Sequence, residues 1–97
     1  MAGTMIVNKK LLDRLRAAFK RYGNEILGDP SITVDFLPTE FEGYFEVFLT
    51  SPKFQNMGFF ERQDSIWNYL RSDSEVVDED LRCISGIATE TEAVEFI

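Results

Sequence analysis

Between Leu49 and Leu70 the chain reads Leu-Thr-Ser-Pro-Lys-Phe-Gln-Asn-Met-Gly-Phe-Phe-Glu-Arg-Gln-Asp-Ser-Ile-Trp-Asn-Tyr-Leu, and this run limits the fold more than any other. An apolar strand end meets a turn on Ser51-Pro52 and a loop carrying Phe54. Beyond it, Phe59, Phe60, Gln63, Ile66, Trp67 and Leu70 recur at three and four residues. That spacing predicts a helix with those six on one side and Glu61, Arg62, Asp64 and Arg71 mostly elsewhere. The remainder of the chain has to cover the apolar side.

Upstream, Asn8 is placed to cap a helix running to Tyr22, whose buried stripe is Leu11, Leu12, Leu15, Ala18, Phe19 and Tyr22; a start near Thr4 would add Ile6 and Val7. Gly23, or the Gly23-Asn24 pair, is expected to stop it. Residues 24–31 read as a connection that turns at Gly28-Asp29-Pro30, with Ile26 and Leu27 tucked onto the domain. Ile32, Val34 and Phe36 then alternate with Thr33 and Asp35, the period of a strand with one covered face. Residues 38–43 are a hairpin-length loop, and Tyr44 to Thr50 form a second strand with Phe45, Val47 and Leu49 opposite Tyr44, Glu46 and Phe48. Two apolar-leaning faces predict a central strand, or one whose outer face meets a partner.

After Leu70, Ser72 or Ser74 is expected to cap a short helix reaching Asp80. Leu81 to Ala88 read as a third strand, with Leu81, Cys83, Ser85 and Ile87 facing one way and Arg82, Ile84, Gly86 and Ala88 the other. Thr89 or Thr91 would open a last helical turn ending at Phe96-Ile97. The expected fold is α+β, a two-layer α/β sandwich in the order α-β-β-α-α-β with a three-stranded mixed sheet. The first two strands are antiparallel; the third arrives through a helical crossover and is parallel to one of them. The 97 residues suit one domain, with 1–5 and 90–97 expected to be loosely held.

The net charge of −7 is unevenly spread. Residues 1–22 carry Lys9, Lys10, Arg14, Arg16, Lys20 and Arg21 against Asp13, whereas residues 73–97 carry eight carboxylates against Arg82. The first helix is thus a basic stripe on an acidic body, and the plain reading is a solvated helix face. An acidic protein is repelled by phosphate backbones, which disfavours general nucleic-acid binding. No stretch has a signal peptide's regions and no apolar run reaches the roughly 20 residues of a membrane span, so a cytoplasmic protein away from membranes is expected.

Catalytic constellations are missing. The chain has no histidine and one cysteine, which removes triads built on imidazole, histidine-bearing zinc sites and CxxC motifs. Its glycines are isolated, so neither a P-loop nor a dinucleotide fingerprint exists. Carboxylate groups such as Glu40 with Glu42, or Asp78 with Glu79 and Asp80, read as solvated loops, and Trp67 with the phenylalanines as core. A non-enzyme without cofactor or metal is expected.

Taken together, Leu-Arg-Ala-Ala-Phe at 15–19, then Ser51, Lys53, Phe54, Phe59, Phe60, Arg62, Ile66 and Leu70, Cys-Ile-Ser at 83–85 and Thr91-Glu92 resemble the BolA family, whose fold resembles the type II KH domain. The resemblance implies a protein-interaction module whose partner is a monothiol glutaredoxin, and a partner surface built from Lys53, Phe54, Arg62 and Arg82. The chain departs from the family where it matters for metal chemistry. Arg62-Gln63-Asp64 stands where the family has Arg-His-Arg, Asn56 replaces a loop glycine, and the family's cluster-ligating histidine falls on Arg82, which cannot serve as a metal ligand. Residues 38–43 offer neither cysteine nor histidine. Cys83, one position along, is the weak candidate ligand, and its plain reading is a small buried hydrophobe.

Three roles follow as expectations: a BolA-like module that contacts glutaredoxin without supplying a histidine; a KH-like nucleic-acid binder using the six cations of the first helix, although the KH family's GxxG clamp is absent; and an assembly subunit, monomer or homodimer, pairing through Tyr44, Glu46 and Phe48.

Overall fold

The computed structural model of the protein describes residues 9–92. Helix α1 spans Lys9–Tyr22 and passes into a π-helical turn, Gly23–Leu27. Strands β1, Thr33–Pro38, and β2, Phe45–Thr50, form a hairpin. A 3-10 turn, Pro52–Asn56, leads into α2, Phe59–Ser72, then a short α3, Asp78–Arg82, and strand β3, Ile84–Glu90. The fold is α+β with the element order read from the sequence.

Strand β2 is central, antiparallel to β1 and parallel to β3. Leu15, Ala18, Phe19 and Tyr22 of α1 and Ile66 and Leu70 of α2 pack on the sheet face formed by Val34, Phe45, Val47, Leu49, Ile84 and Ile87 in one continuous core. Phe54 completes it beneath the 3-10 turn.

Several expectations change. The α-helix ends at Tyr22 as expected, but the helical path does not stop at Gly23: it continues through a wider turn closed by the Gly28 N–H donating to the Gly23 carbonyl, with Gly28 at φ 69°. Gly23 serves close packing instead: a Cβ there would lie 2.4 Å from Ile32 Cγ2 and 2.8 Å from the Asp29 carbonyl oxygen. Leu27 packs on the core, but Ile26 is exposed. Neither Ser72 nor Ser74 caps the helix before β3; α3 begins after Val77, and the Asp73 carboxylate accepts from the Glu75 N–H at 2.9 Å.

Leu81 and Arg82 belong to α3 rather than to the last strand, and Cys83 follows its end, half-buried against the core. The strict alternation expected of β3 fails at a bulge. Ile84 pairs with Phe45 and Gly86 with Glu46, so Ser85 is the extra residue and Ile84 and Ile87 both face inward. Glu90, expected to be loose, belongs to β3, and its carbonyl accepts from the Ser51 N–H at 2.9 Å. The Asn8 cap, the Thr4 start with Ile6 and Val7, and the end of the last helical turn at Phe96-Ile97 lie outside the described residues.

Candidate functional site

The segment between β2 and α2 is built from short polar clamps. Ser51 is buried; its hydroxyl donates to Asp29 Oδ2 at 2.6 Å and accepts from the Lys53 N–H at 3.1 Å, starting the 3-10 turn. That turn drives Phe54 inward to 0% exposure, stacked on Tyr22 at 6.5 Å. Arg62 locks the arrangement. Its guanidinium donates to the Met57 carbonyl at 2.9 Å, the Phe54 carbonyl at 2.7 Å and Thr89 Oγ1 at 3.2 Å, and lies over the Phe54 ring. Two of the four residues assigned to a partner surface are therefore structural: Phe54 is core and Arg62 is committed to internal acceptors.

Lys53 and Arg82 are both exposed, but the topology separates them. Lys53 follows the end of β2, whereas Arg82 precedes β3, which starts beside the first residue of β2. Five steps along β2 at about 3.3 Å each set the two ends roughly 16 Å apart. The four residues do not make one surface.

What the segment does present is an aromatic pair that the helical period had assigned to the core. Phe59 is 65% exposed and Phe60 79%, their rings edge to face at 5.4 Å. Helix α2 is pinned by Gln63, whose side-chain amide donates to the Ile87 carbonyl at 2.8 Å, and by buried Ile66 and Leu70. Arg62, one residue before Gln63, reaches Thr89 near the end of β3, and Phe59 and Phe60 precede it in the first turn of α2. Trp67 is half-buried against the core, with Arg71 over its ring at 5.9 Å. At the other end of the sheet Phe41, in the β1–β2 loop, is also 70% exposed.

The basic face of α1 is largely occupied. Arg14 forms a two-point ion pair with Asp80 at 2.8 and 2.9 Å, and Asp80, expected to be solvated, is 1% exposed. Arg21 pairs with Asp73 at 2.7 Å and Glu75 at 3.1 Å. Arg16 donates to the Val34 carbonyl at 2.6 Å and stacks on Phe36; Lys20 donates to the Ile32 carbonyl. Arg14, Arg16, Lys20 and Arg21, all offered to nucleic acid, are thus engaged within the fold, and the charge asymmetry of the sequence is in part an internal match between α1 and the segment from Asp73 to Asp80.

An open groove of about 380 Å³ lies where these charges meet, lined by Arg21, Glu25, Tyr69, Asp73 and Glu75 among others. Its groups are paired. Burial pushes the Tyr69 hydroxyl up to about 12, helped by its hydrogen bond to Glu25. Burial alone would raise the Asp73 carboxyl, but Arg21 and the Glu75 N–H outweigh it and hold it below the usual carboxylate value. Tyr22 is raised by burial, offset in part by its 3.0 Å hydrogen bond with Ser65. Neither a nucleophile nor a poised acid–base pair results. Cys83 Sγ donates to the Glu79 carbonyl at 3.5 Å, and among the described residues no three Asp, Glu or Cys side chains gather to hold a metal ion. No described helix is long and apolar enough to cross a membrane.

Set beside known family models, curated proteins and solved structures, the chain matches none of them.

Proposed function

We propose that the protein is a BolA-like, non-enzymatic interaction module of the cytoplasm that docks a partner protein on Lys53, Phe59 and Phe60. The observation that carries this reading is the aromatic pair. Phe59 and Phe60 are among the residues on which the BolA resemblance rests, yet the fold leaves them in solvent, where adjacent exposed aromatics favour a protein partner. The hairpin, the crossover through α2 and the parallel return of β3 follow the order that the resemblance implies, which supports the same reading. Its partner is a monothiol glutaredoxin. The contact is one of protein with protein, since Arg82 stands in place of the ligating histidine and the Cys83 thiol is turned to the Glu79 carbonyl.

The test is titration calorimetry of the chain with a monothiol glutaredoxin, before and after iron–sulfur reconstitution. Micromolar binding that F59S/F60S abolishes and reconstitution does not strengthen is the expected result. Absence of binding, or binding indifferent to the double substitution, removes this function and leaves the fold standing.

A further inference from the structure

The loop joining β1 to β2 is a turn held by Thr39 and by its own backbone. The Thr39 hydroxyl accepts from the Phe41 N–H at 3.1 Å and shares its proton between the Phe41 and Tyr44 carbonyls, at 3.0 and 3.1 Å. The Tyr44 N–H donates to the Phe41 carbonyl at 3.2 Å, and Gly43 takes the left-handed conformation between them, at φ 80°. None of these contacts uses an aromatic ring. The turn nevertheless carries two, and both are displayed: Phe41 is 70% exposed and Tyr44 48%.

Phe41 stands between Glu40 and Glu42, both exposed, and among the described residues neither carboxylate has an ion-pair partner. No lysine or arginine occurs between Arg21 and Lys53, so every charged residue of that stretch is Asp or Glu. Arg82 lies toward the same end of the sheet, because β3 starts beside Phe45, yet it pairs with neither. Elsewhere in the molecule such groups are covered by arginine. Arg16 lies over the Phe36 ring at 5.0 Å, Arg62 over Phe54 at 5.5 Å and Arg71 over Trp67 at 5.9 Å, and Arg14 meets the Asp80 carboxylate at two points. A guanidinium serves both kinds of group, since it is flat enough to stack on a ring and forked to give a carboxylate two N–H donors. At the β1–β2 turn the ring and the carboxylates are in place, and among the described residues no arginine meets them.

We infer that the β1–β2 turn is a second docking surface, and that its occupant is an arginine-bearing segment of a partner protein. A guanidinium of that segment stacks on the displayed Phe41 ring and is held by Glu40 and Glu42. Charge selects this occupant. A second copy of the chain docking turn to turn would set carboxylates against carboxylates, and nucleic acid or an anionic membrane would be repelled by the same groups. The turn lies at the opposite end of the sheet from Lys53, Phe59 and Phe60 and stands independently of the BolA-like reading.

The probe is a short glycine peptide carrying two arginines, titrated into the isotopically labelled full chain and followed by NMR, with lysine and citrulline in place of arginine as controls. In wild-type protein, saturable shifts should centre on the amides of Glu40, Phe41 and Glu42 and on the Phe41 ring, a readout that needs no variant. The lysine peptide should bind more weakly, and the citrulline peptide, which keeps the shape without the charge, should not saturate. Affinity for the arginine peptide should fall about 2–5-fold in F41A and about tenfold in E40Q/E42Q. D78N/E79Q, which changes the net charge by the same amount at exposed positions of α3, should stay within about twofold of wild type. Equal binding of the lysine or citrulline peptide, an equal loss in D78N/E79Q, shifts centred elsewhere, or Phe41 signals that move with protein concentration alone, as a second copy would cause, would each overturn the proposal.

Discussion

Phe54 and the pair Phe59 and Phe60 stand five and six residues apart in one segment, and their environments are opposite. The first is sealed beneath a 3-10 turn against Tyr22; the other two project from the first turn of α2. Hydrophobicity does not separate them. What does is the anchoring of the backbone on either side: Ser51 caps the turn so that Phe54 points down, and Arg62 then ties turn, helix and β3 together through three acceptors. That clamp, with Gln63 on the Ile87 carbonyl, sets both the rotation of α2 and its position along the sheet. The rotation turns Ile66 and Leu70 inward. Phe59 and Phe60, in the turn before this clamp, stay in solvent.

The contrast is broken most forcefully at Phe54. Phe54→Ala empties a fully buried ring and should cost about 3–5 kcal/mol. In a domain of this size each kcal/mol is worth about 4–8 °C in Tm, so the melt should move by tens of degrees. A loss within the error of a urea titration would mean that the turn does not hold this ring in the core. Next comes the clamp. Arg62→Lys keeps the charge but loses the planar fork, so at least one of the Met57 and Phe54 carbonyls and Thr89 Oγ1 loses its donor, at about 1–3 kcal/mol. Hydrogen exchange sharpens this prediction: Met57 and Phe54, whose amides bond to the Phe54 and Ser51 carbonyls, should lose protection before the β2 amides do.

How far this could be read beforehand depends on which physical signal carries each element. The period-2 pattern of β1 and β2 and the stripe of α1 are local, and Leu15, Phe19, Val34, Val47 and Leu49 are buried as their spacing implies. The 3.6 period of α2 identified a helix and placed Ile66 and Leu70 correctly. Periodicity gives the side of a helix, however, and not the length of sheet beneath it, so Phe59 was assigned to the core. The shift in β3 comes from a bulge at Ser85, for which the sequence had no flanking signal beyond Gly86. Arg62 looked like a surface cation because a cation's acceptors are carbonyls brought close by the fold, and carbonyls carry no sequence mark. The basic stripe of α1 was visible; its pairing with Asp73 and Asp80 joins positions more than fifty residues apart.

A smaller effect tests that last contrast, between a solvated stripe and an internal ion pair. Asp73 is held below the ordinary carboxylate value of about 3.9, so it binds fewer protons folded than unfolded. Its contribution to stability is therefore present above about pH 4 and lost as pH falls through the depressed folded value. Arg21→Gln removes the chief group that opposes burial. The Tm difference between wild type and R21Q should be constant near neutrality and shrink in acid, and carboxyl NMR titration should show the Asp73 midpoint rising in the variant. A Tm difference that stays level to the lowest pH reached would show that the pair contributes nothing through this charge.

The smallest expected change is at the aromatic pair, and its smallness is the point. Phe59→Ser with Phe60→Ser removes two large rings, but both are mostly in water already and Phe and Ser have similar helix propensities, so little burial is lost. The edge-to-face contact between the rings limits the loss to about 0.5–1.5 kcal/mol, and solvent exposure brings it toward the lower end. A Tm within a few degrees of wild type is therefore expected, together with higher solubility. A loss approaching that of Phe54→Ala would mean that these rings are covered in solution, and the distinction between a buried anchor and a displayed pair would fail. A small loss leaves two exposed rings that contribute almost nothing to folding, as the proposed docking role for this pair requires.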